Sequence, residues 1–202
     1  MTHERAVFAT DDPAVRIYPL LTATVVPRPI AWISTRSAEG IGNLAPHSFY
    51  TVACANPPIV QFTSVGDKDT LRNVRETREF VVNLAAAPML DPVNASSARF
   101  DPRVDEAEAL GIRLEPSLMV SVPRVAEAPA SIECRLHSVI ELGDSTIVLG
   151  DVLAVTVLRT ALAADGLPDM SALQPLSRLG RDEWGHPPAV FALDRPDVPG
   201  GS

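Results

Sequence analysis

The chain has 202 residues, of which 46% are hydrophobic and 21% charged; this suffices for one domain with a sizeable core and excludes a disordered protein. Its 17 Lys and Arg against 25 Asp and Glu leave a formal charge of −8, which opposes non-specific attraction to nucleic acid or an anionic membrane and favours a small-molecule partner. Cys54 and Cys134 lie far apart in apolar surroundings, without disulfide or metal-knuckle spacing, and read as buried free thiols of a reducing cytosol. Glu4, Arg5, Asp11, Asp12 and Arg16 interrupt any signal-peptide core, and no apolar run approaches spanning length, so the expected location is cytoplasmic, without a membrane. Nineteen prolines spread along the chain argue for short strands joined by defined turns.

In chain order, residues 1–14 read as a mobile arm, 15–196 as one domain and 197–202 as a flexible tail. The β-branched residues of Thr22 to Val26 predict extended backbone before Pro27-Arg28-Pro29 interrupts pairing. Pro27 to Tyr50 then reads as strand, turn, strand. Ile30, Trp32 and Ile33 favour β structure, and Arg36 to Asn43 supplies turn chemistry. Small and aromatic residues from Asn43 to Tyr50 suit close approach of a flat ligand, although a plain surface hairpin accounts for the turn equally well.

Thr51 to Ala55 and Ile59 to Ser64 are further strands, and Lys68 to Arg78 is the clearest short helix, with Leu71 and Val74 on one face. Asp67 or Asp69 is expected to cap its first turn, and Arg75 and Arg78 to complement its C-terminal end. The start of this helix is either a phosphate cradle or a solvated, capped terminus. Glu79 to Leu84 is a strand, Ala85 to Phe100 a loop with a helical turn, Val104 to Leu110 a second helix stopped by Gly111, and Ile112 to Val125 irregular. Beyond Ser131, Ile132, Cys134 and Leu136 alternate with Glu133, Arg135 and His137 as a half-buried strand; Gly143-Asp144 turns into a long strand, Thr146 to Leu158, with a bulge or bend at Gly150-Asp151. Arg178 to Gly185 is a polar segment, and Val190 to Leu193 a closing strand. Many short strands, few helices and no βαβ alternation predict a β-barrel or sandwich with helical excursions.

The common catalytic constellations are missing. There is no P-loop, G-x-G-x-x-G, H-E-x-x-H or G-x-S-x-G, and His3, His47, His137 and His186 show no metal-ligand spacing. His137 and His186 read as solvent-facing, whereas His47 interrupts the small-and-aromatic run and is a candidate to face a site. What remains is a binding site for something flat and phosphorylated that brings its own reactivity.

The stretches PRPIAWIST, NLAPHSFY, NPPIVQFTS and KDTLRN, in this order and continued by VDEAEALGI, PASIECRL, IVLGDV and PLSRLG, resemble the flavin reductase-like FMN-binding split-barrel family. The resemblance implies a mainly β fold with short helices, a six-stranded Greek-key split barrel, and a homodimer holding FMN near the subunit interface. Carried over by position, Ser34 and Thr35 would contact the phosphate or ribityl chain, Asn43, Ala45, Pro46, Ser48 and Phe49 would line the isoalloxazine, and Ser64, Lys68, Asp69 and Thr70 would complete the phosphate and ribityl contacts. Arg178 matches the family's late arginine and would cover the flavin from across the dimer.

The implied activity is hydride transfer from NADH or NADPH to the flavin, with electrons passed to free flavin, a partner oxygenase or another acceptor, and no side chain acting as acid or base. Two other readings are a flavoredoxin-like electron carrier reduced by a protein, and a split-barrel protein with a non-redox ligand. The chain departs from the family pattern at His47, where an aromatic is usual, at Tyr50-Thr51, and at Arg181 and Trp184; these positions bear on the nicotinamide or substrate side, where His47 is a candidate.

Overall fold

The computed structural model describes residues 3–194 and 196, and the expected tail at 197–202 lies outside the described residues. Residues 3–14 are exposed and form no helix or strand. They are followed by α1 (Ile17–Thr24), β1 (Arg28–Pro29), β2 (Ala31–Arg36), β3 (Gly42–His47), β4 (Tyr50–Cys54) and β5 (Ile59–Val65). Next come α2 (Asp69–Thr77), β6 (Glu79–Leu84), the short helices α3 (Leu90–Ala95) and α4 (Glu106–Ala109), and the paired dipeptides β7 (Leu114–Glu115) and β8 (Arg124–Val125). The long hairpin β9 (Ala130–Leu142) and β10 (Ser145–Val157) precedes α5 (Met170–Leu173), β11 (Ser177–Arg178) and β12 (Trp184–Gly185).

Seven strands form one antiparallel sheet in the order β3-β2-β6-β9-β10-β5-β4. Because side chains alternate across a strand, β2 sends Ala31 and Ile33 to one face and Trp32 and Ser34 to the other, where Ile30 just before the strand joins them. The first face closes around Phe62, Phe80, Val82, Cys134, Leu136 and Val148, capped by Leu71 and Val74 of α2. The rings of Phe62 and Phe80 meet edge-on, 5.4 Å apart. On the second face Ile30, Trp32 and Leu44 pack against Met89, Val93 and Ala107 of the helical excursions.

The sheet curls until its edges approach. Ser48 and Phe49 break the run between β3 and β4 and send the two strands to opposite edges, so the main sheet has seven strands where six were expected. The Thr63 amide of β5 donates to the Phe49 carbonyl at 2.8 Å, and the His47 ring at the end of β3 lies 4.8 Å from Phe62. Gly150 sits at the expected irregularity of β10, where the register shifts; an added Cβ there would lie 2.3 Å from Phe80 Cζ, so the bend brings backbone against the ring. Gly111, at φ +66, ends the turn after α4 as expected.

Three expectations are corrected. The stretch before Pro27 is helical rather than extended: Thr22 and Thr24 satisfy their hydroxyls on carbonyls one turn back (Tyr18 O at 3.2 Å, Leu20 O at 2.7 Å), and the Arg28 guanidinium donates to the carbonyls of Thr22 in the last turn and Val25 just past it. Glu133 is fully buried instead of facing solvent, because residues 116–123 fold over the outer face of β9; its carboxylate accepts the Leu118 amide at 3.0 Å and the Met119 amide at 2.6 Å. Val190 to Leu193 joins no strand, since Pro187 and Pro188 remove ladder donors just after β12, and the three large side chains there are exposed.

Candidate functional site

Two cavities adjoin along Pro46 and Ser97. One, about 540 Å³, runs from the start of α2 to α4 and is lined by Asn43, Ala45, Pro46, Lys68, Asp69 and Thr70 together with Arg72, Arg99, Phe100 and Glu106. The other, about 500 Å³, is lined by Ile30, Pro46, Ser48, Asn94, Ser97, Arg178, Asp182 and Trp184. The cleft thus gathers eight of the twelve residues singled out in the sequence. Arg178 lies in it beside Ser48 of its own chain, its guanidinium 4.8 Å from the Trp184 ring centroid.

The remaining four support the walls. Ser34 lies buried on the same side of the sheet as Trp32 and accepts from Asn83 Nδ2 at 2.7 Å, within a network that also ties the Val125 amide and the Ser131 hydroxyl to Asn83 Oδ1. Ser64, fully buried, donates to the Gly66 carbonyl at 3.1 Å and fixes the turn that presents Lys68. Thr35 accepts from Asn43 Nδ2 and Asn73 Nδ2 at 3.2 and 3.1 Å, which ties β2, β3 and α2 together. Phe49 packs against Tyr18 of α1 and lies under Arg28, whose guanidinium carbon is 5.9 Å from the ring centroid.

The start of α2 is open. Lys68 stands at its N-cap position without a side-chain cap, and neither Asp67 nor Asp69 takes the expected capping role; the Asp69 carboxylate instead pairs with Arg72 one turn on. First-turn amides, the positive end of the helix, Lys68 and Arg99 therefore border one volume, which is the physical requirement for holding an anion. Glu106 lines the same volume but is mostly buried; its Oε2 accepts the Leu44 amide at 2.9 Å, and burial pushes its carboxyl above the usual range.

Beneath this wall lies His47. It is 4% exposed, with Nδ1 3.4 Å from the Thr63 carbonyl and Nε2 3.4 Å from Thr70 Oγ1, and Thr70 Oγ1 accepts from Asn43 Nδ2 at 3.0 Å. A carbonyl can only accept, so Nδ1 carries the proton and Nε2 is the acceptor for the Thr70 hydroxyl. Burial, reinforced by the Lys68 charge, lowers the imidazole to about 4, so it is neutral near pH 7. His47 is thus buried beneath the cleft and is not among the residues that line it.

Residues the sequence reading missed are Ser97, Arg99 and Phe100, in a stretch read as loop with a helical turn, and Asn73, which a helical count from Thr70 places on the same buried face of α2. Burial lifts the Cys134 thiol to about 12, which leaves it an inert core residue. Among the described residues there is no group of three or more His, Cys, Asp or Glu able to hold a metal, and no helix long and apolar enough to cross a membrane.

The family model described as the flavin reductase like domain matches residues 23–172. The chain belongs to the flavin reductase-like domain family. A protein of Deinococcus radiodurans is 41% identical to this flavin reductase-like chain over 191 residues, covering 88% of the chain and 84% of the relative. The crystal structure of nitrilotriacetate monooxygenase component B from Bacillus cereus superposes with a TM-score of 0.87 at 29% identity, covering 94% of the chain and 100% of that structure. A protein with a split barrel domain from Shewanella frigidimarina superposes with a TM-score of 0.86 at 21% identity, covering 95% of the chain and 100% of that structure, which shows the shared fold. The flavin reductase-like chain is thus a curled antiparallel sheet of the split-barrel kind, with its cleft along β3 and the start of α2.

Proposed function

We propose that the cleft binds FMN and that the protein is a flavin reductase-like oxidoreductase working with NADH or NADPH. The observation that carries this reading is the uncapped start of α2 opening into a cavity that continues past Pro46 to Ser48, Arg178 and Trp184. One end is suited to a phosphate monoester and the other to a flat polar ring. The combined space suits a ligand of FMN size. First-turn amides of α2 and Lys68 would hold the phosphate, while Asn43, Ala45, Pro46 and Ser48 would line the ring system. Arg178, stacked on Trp184, would form the opposite wall.

When bound, FMN supplies the redox chemistry, accepting a hydride from the reduced nicotinamide. The chain then has to position and shield the ligand, which matches a cleft built from backbone, small side chains and fixed cations, with His47 sealed below it. Similarity to a monooxygenase component B supports an oxygenase as the partner that receives the electrons. We further propose a homodimer, supported by α1, which buries none of its residues while exposing Tyr18 and Leu21, with Val25 exposed just beyond it.

The purified protein should be yellow, and anaerobic mixing with NADH or NADPH should remove the oxidised-flavin absorbance. A yellow protein whose spectrum stays unchanged at high nucleotide would sink the reductase reading and favour reduction by a protein. A colourless protein that takes up no added FMN would sink the cofactor assignment.

A further inference from the structure

We propose that His47 couples anion binding at the start of α2 to the uptake of a proton, acting through the Thr70 hydroxyl. The inference rests on the flavin reading only for the identity of the anion.

Thr70 has one hydroxyl proton, and its oxygen already accepts from Asn43 Nδ2 at 3.0 Å. The acceptor beside that proton is His47 Nε2, at 3.4 Å, because Nδ1 donates to the Thr63 carbonyl. With the ring neutral, the Thr70 hydroxyl is committed inward and cannot donate to an anion in the cavity it lines. A phosphate oxygen accepts and does not donate. For Thr70 to serve it, the hydroxyl proton must turn away from Nε2, leaving a buried ring nitrogen without a donor.

Protonation of Nε2 removes that conflict. The imidazolium donates to Thr70 Oγ1 and Thr63 O, the hydroxyl is released to the anion, and the second proton comes from solvent. The charged group facing the ring is Lys68, at the start of α2; β2 presents Ala31 beside it, and β5 presents Phe62 and the Thr63 carbonyl. Lys68 opposes protonation while the cavity holds no anion, and a bound phosphate offsets that opposition. His47 is therefore a positioning residue that acts on the ligand through Thr70.

The sign follows. The free protein holds His47 at about 4, and a bound anion raises it, so affinity gains a contribution at low pH that is lost as pH rises through the bound-state value. Nitrogen NMR of the His47 ring should show the Nδ1–H form in the free protein, and FMN should move its titration upward by about one unit, equivalent to about tenfold in affinity. FMN titrations between about pH 8 and about pH 5 should show wild type gaining about twofold over His47→Phe, the share of the tenfold low-pH limit reached by about pH 5, and the comparison with His47→Phe cancels the titration of the FMN phosphate itself. Thr70→Val, which keeps the histidine, should lose the gain as well.

FMN binding with parallel pH profiles in wild type and His47→Phe, and ring resonances that FMN does not move, would overturn the coupling while leaving the flavin reading intact. If His47→Phe fails to fold, the wild-type resonances decide alone. Absence of FMN binding to wild type would overturn both.

Discussion

His47 is a neutral base locked into a hydrophobic contact, and this has a cost that depends on pH. In the unfolded chain the imidazole titrates near 6.5, whereas in the fold burial and Lys68 hold it at about 4. As pH falls through that window the unfolded state binds a proton that the native state refuses, so stability is lost between about 6.5 and about 4, by up to roughly 3 kcal/mol. Urea midpoints at about pH 7 and about pH 4.5 should show this loss in wild type and a smaller one in His47→Phe. A pH dependence equal in the two proteins would contradict the burial argument. At Gly150 the constraint is steric. Its missing Cβ leaves room for Phe80 Cζ, which would otherwise be 2.3 Å away, and Phe80 is itself fully buried with nowhere to move. Gly150→Ala should cost about 2 kcal/mol in thermal or urea unfolding.

Among the elements, α2 combines two roles that its sequence displayed unequally. Leu71 and Val74 announced its buried face by their spacing, and both lie in the core. Its open start was legible only as an alternative, because Asp67 and Asp69 looked like caps; the pairing of Asp69 with Arg72 is a choice between two local hydrogen-bond partners that sequence does not resolve. Lys68 is exposed at that start, so Lys68→Ala should leave folding unaffected and weaken FMN about fivefold, near 1 kcal/mol, with the difference shrinking at high salt. Equal FMN affinity in the variant at low salt would remove Lys68 from the site. The outer face of β9 shows the converse limit. Alternation placed Glu133 toward solvent, but residues 116–123 return from elsewhere in the chain to bury it, and no local pattern encodes that tertiary cover. Ser34 and Ser64 illustrate the same point, since their place beside the cleft was legible while the hydrogen bonds that turn them into struts come from distant Asn83 and the Gly66 turn.

For the whole molecule, the curled sheet explains why the cleft lies where it does. β3 and β4 are opposite edges joined only through Ser48 and Phe49; the Phe49 carbonyl is taken by the Thr63 amide at 2.8 Å, while Ser48 lies outside both strands and lines the cleft. The same construction ties the cleft to α1. Phe49 packs against Tyr18, and Arg28 holds the end of α1 by donating to the Val25 carbonyl at 2.8 Å while reaching the Leu179 carbonyl next to Arg178 at 2.7 Å. Burial, followed by the neighbouring Arg178 charge, lowers the Arg28 guanidinium from its ordinary value, a sign of two cations held close together by the fold. Yet α1 presents Tyr18 at 61% and Leu21 at 56% exposure, and Val25 beyond it is 60% exposed, an apolar strip of the kind that marks a protein interface. A second copy covering that strip would bury it and stiffen the Tyr18–Phe49 contact at once. Sedimentation equilibrium should therefore give twice the chain mass, and Leu21→Glu, which places a charge within the strip, should shift the population to monomer and weaken FMN binding in parallel. A monomeric wild type would remove the homodimer. A monomeric Leu21→Glu with unchanged FMN affinity would keep the dimer but separate it from the cleft, leaving Phe49 to be positioned by its own chain alone.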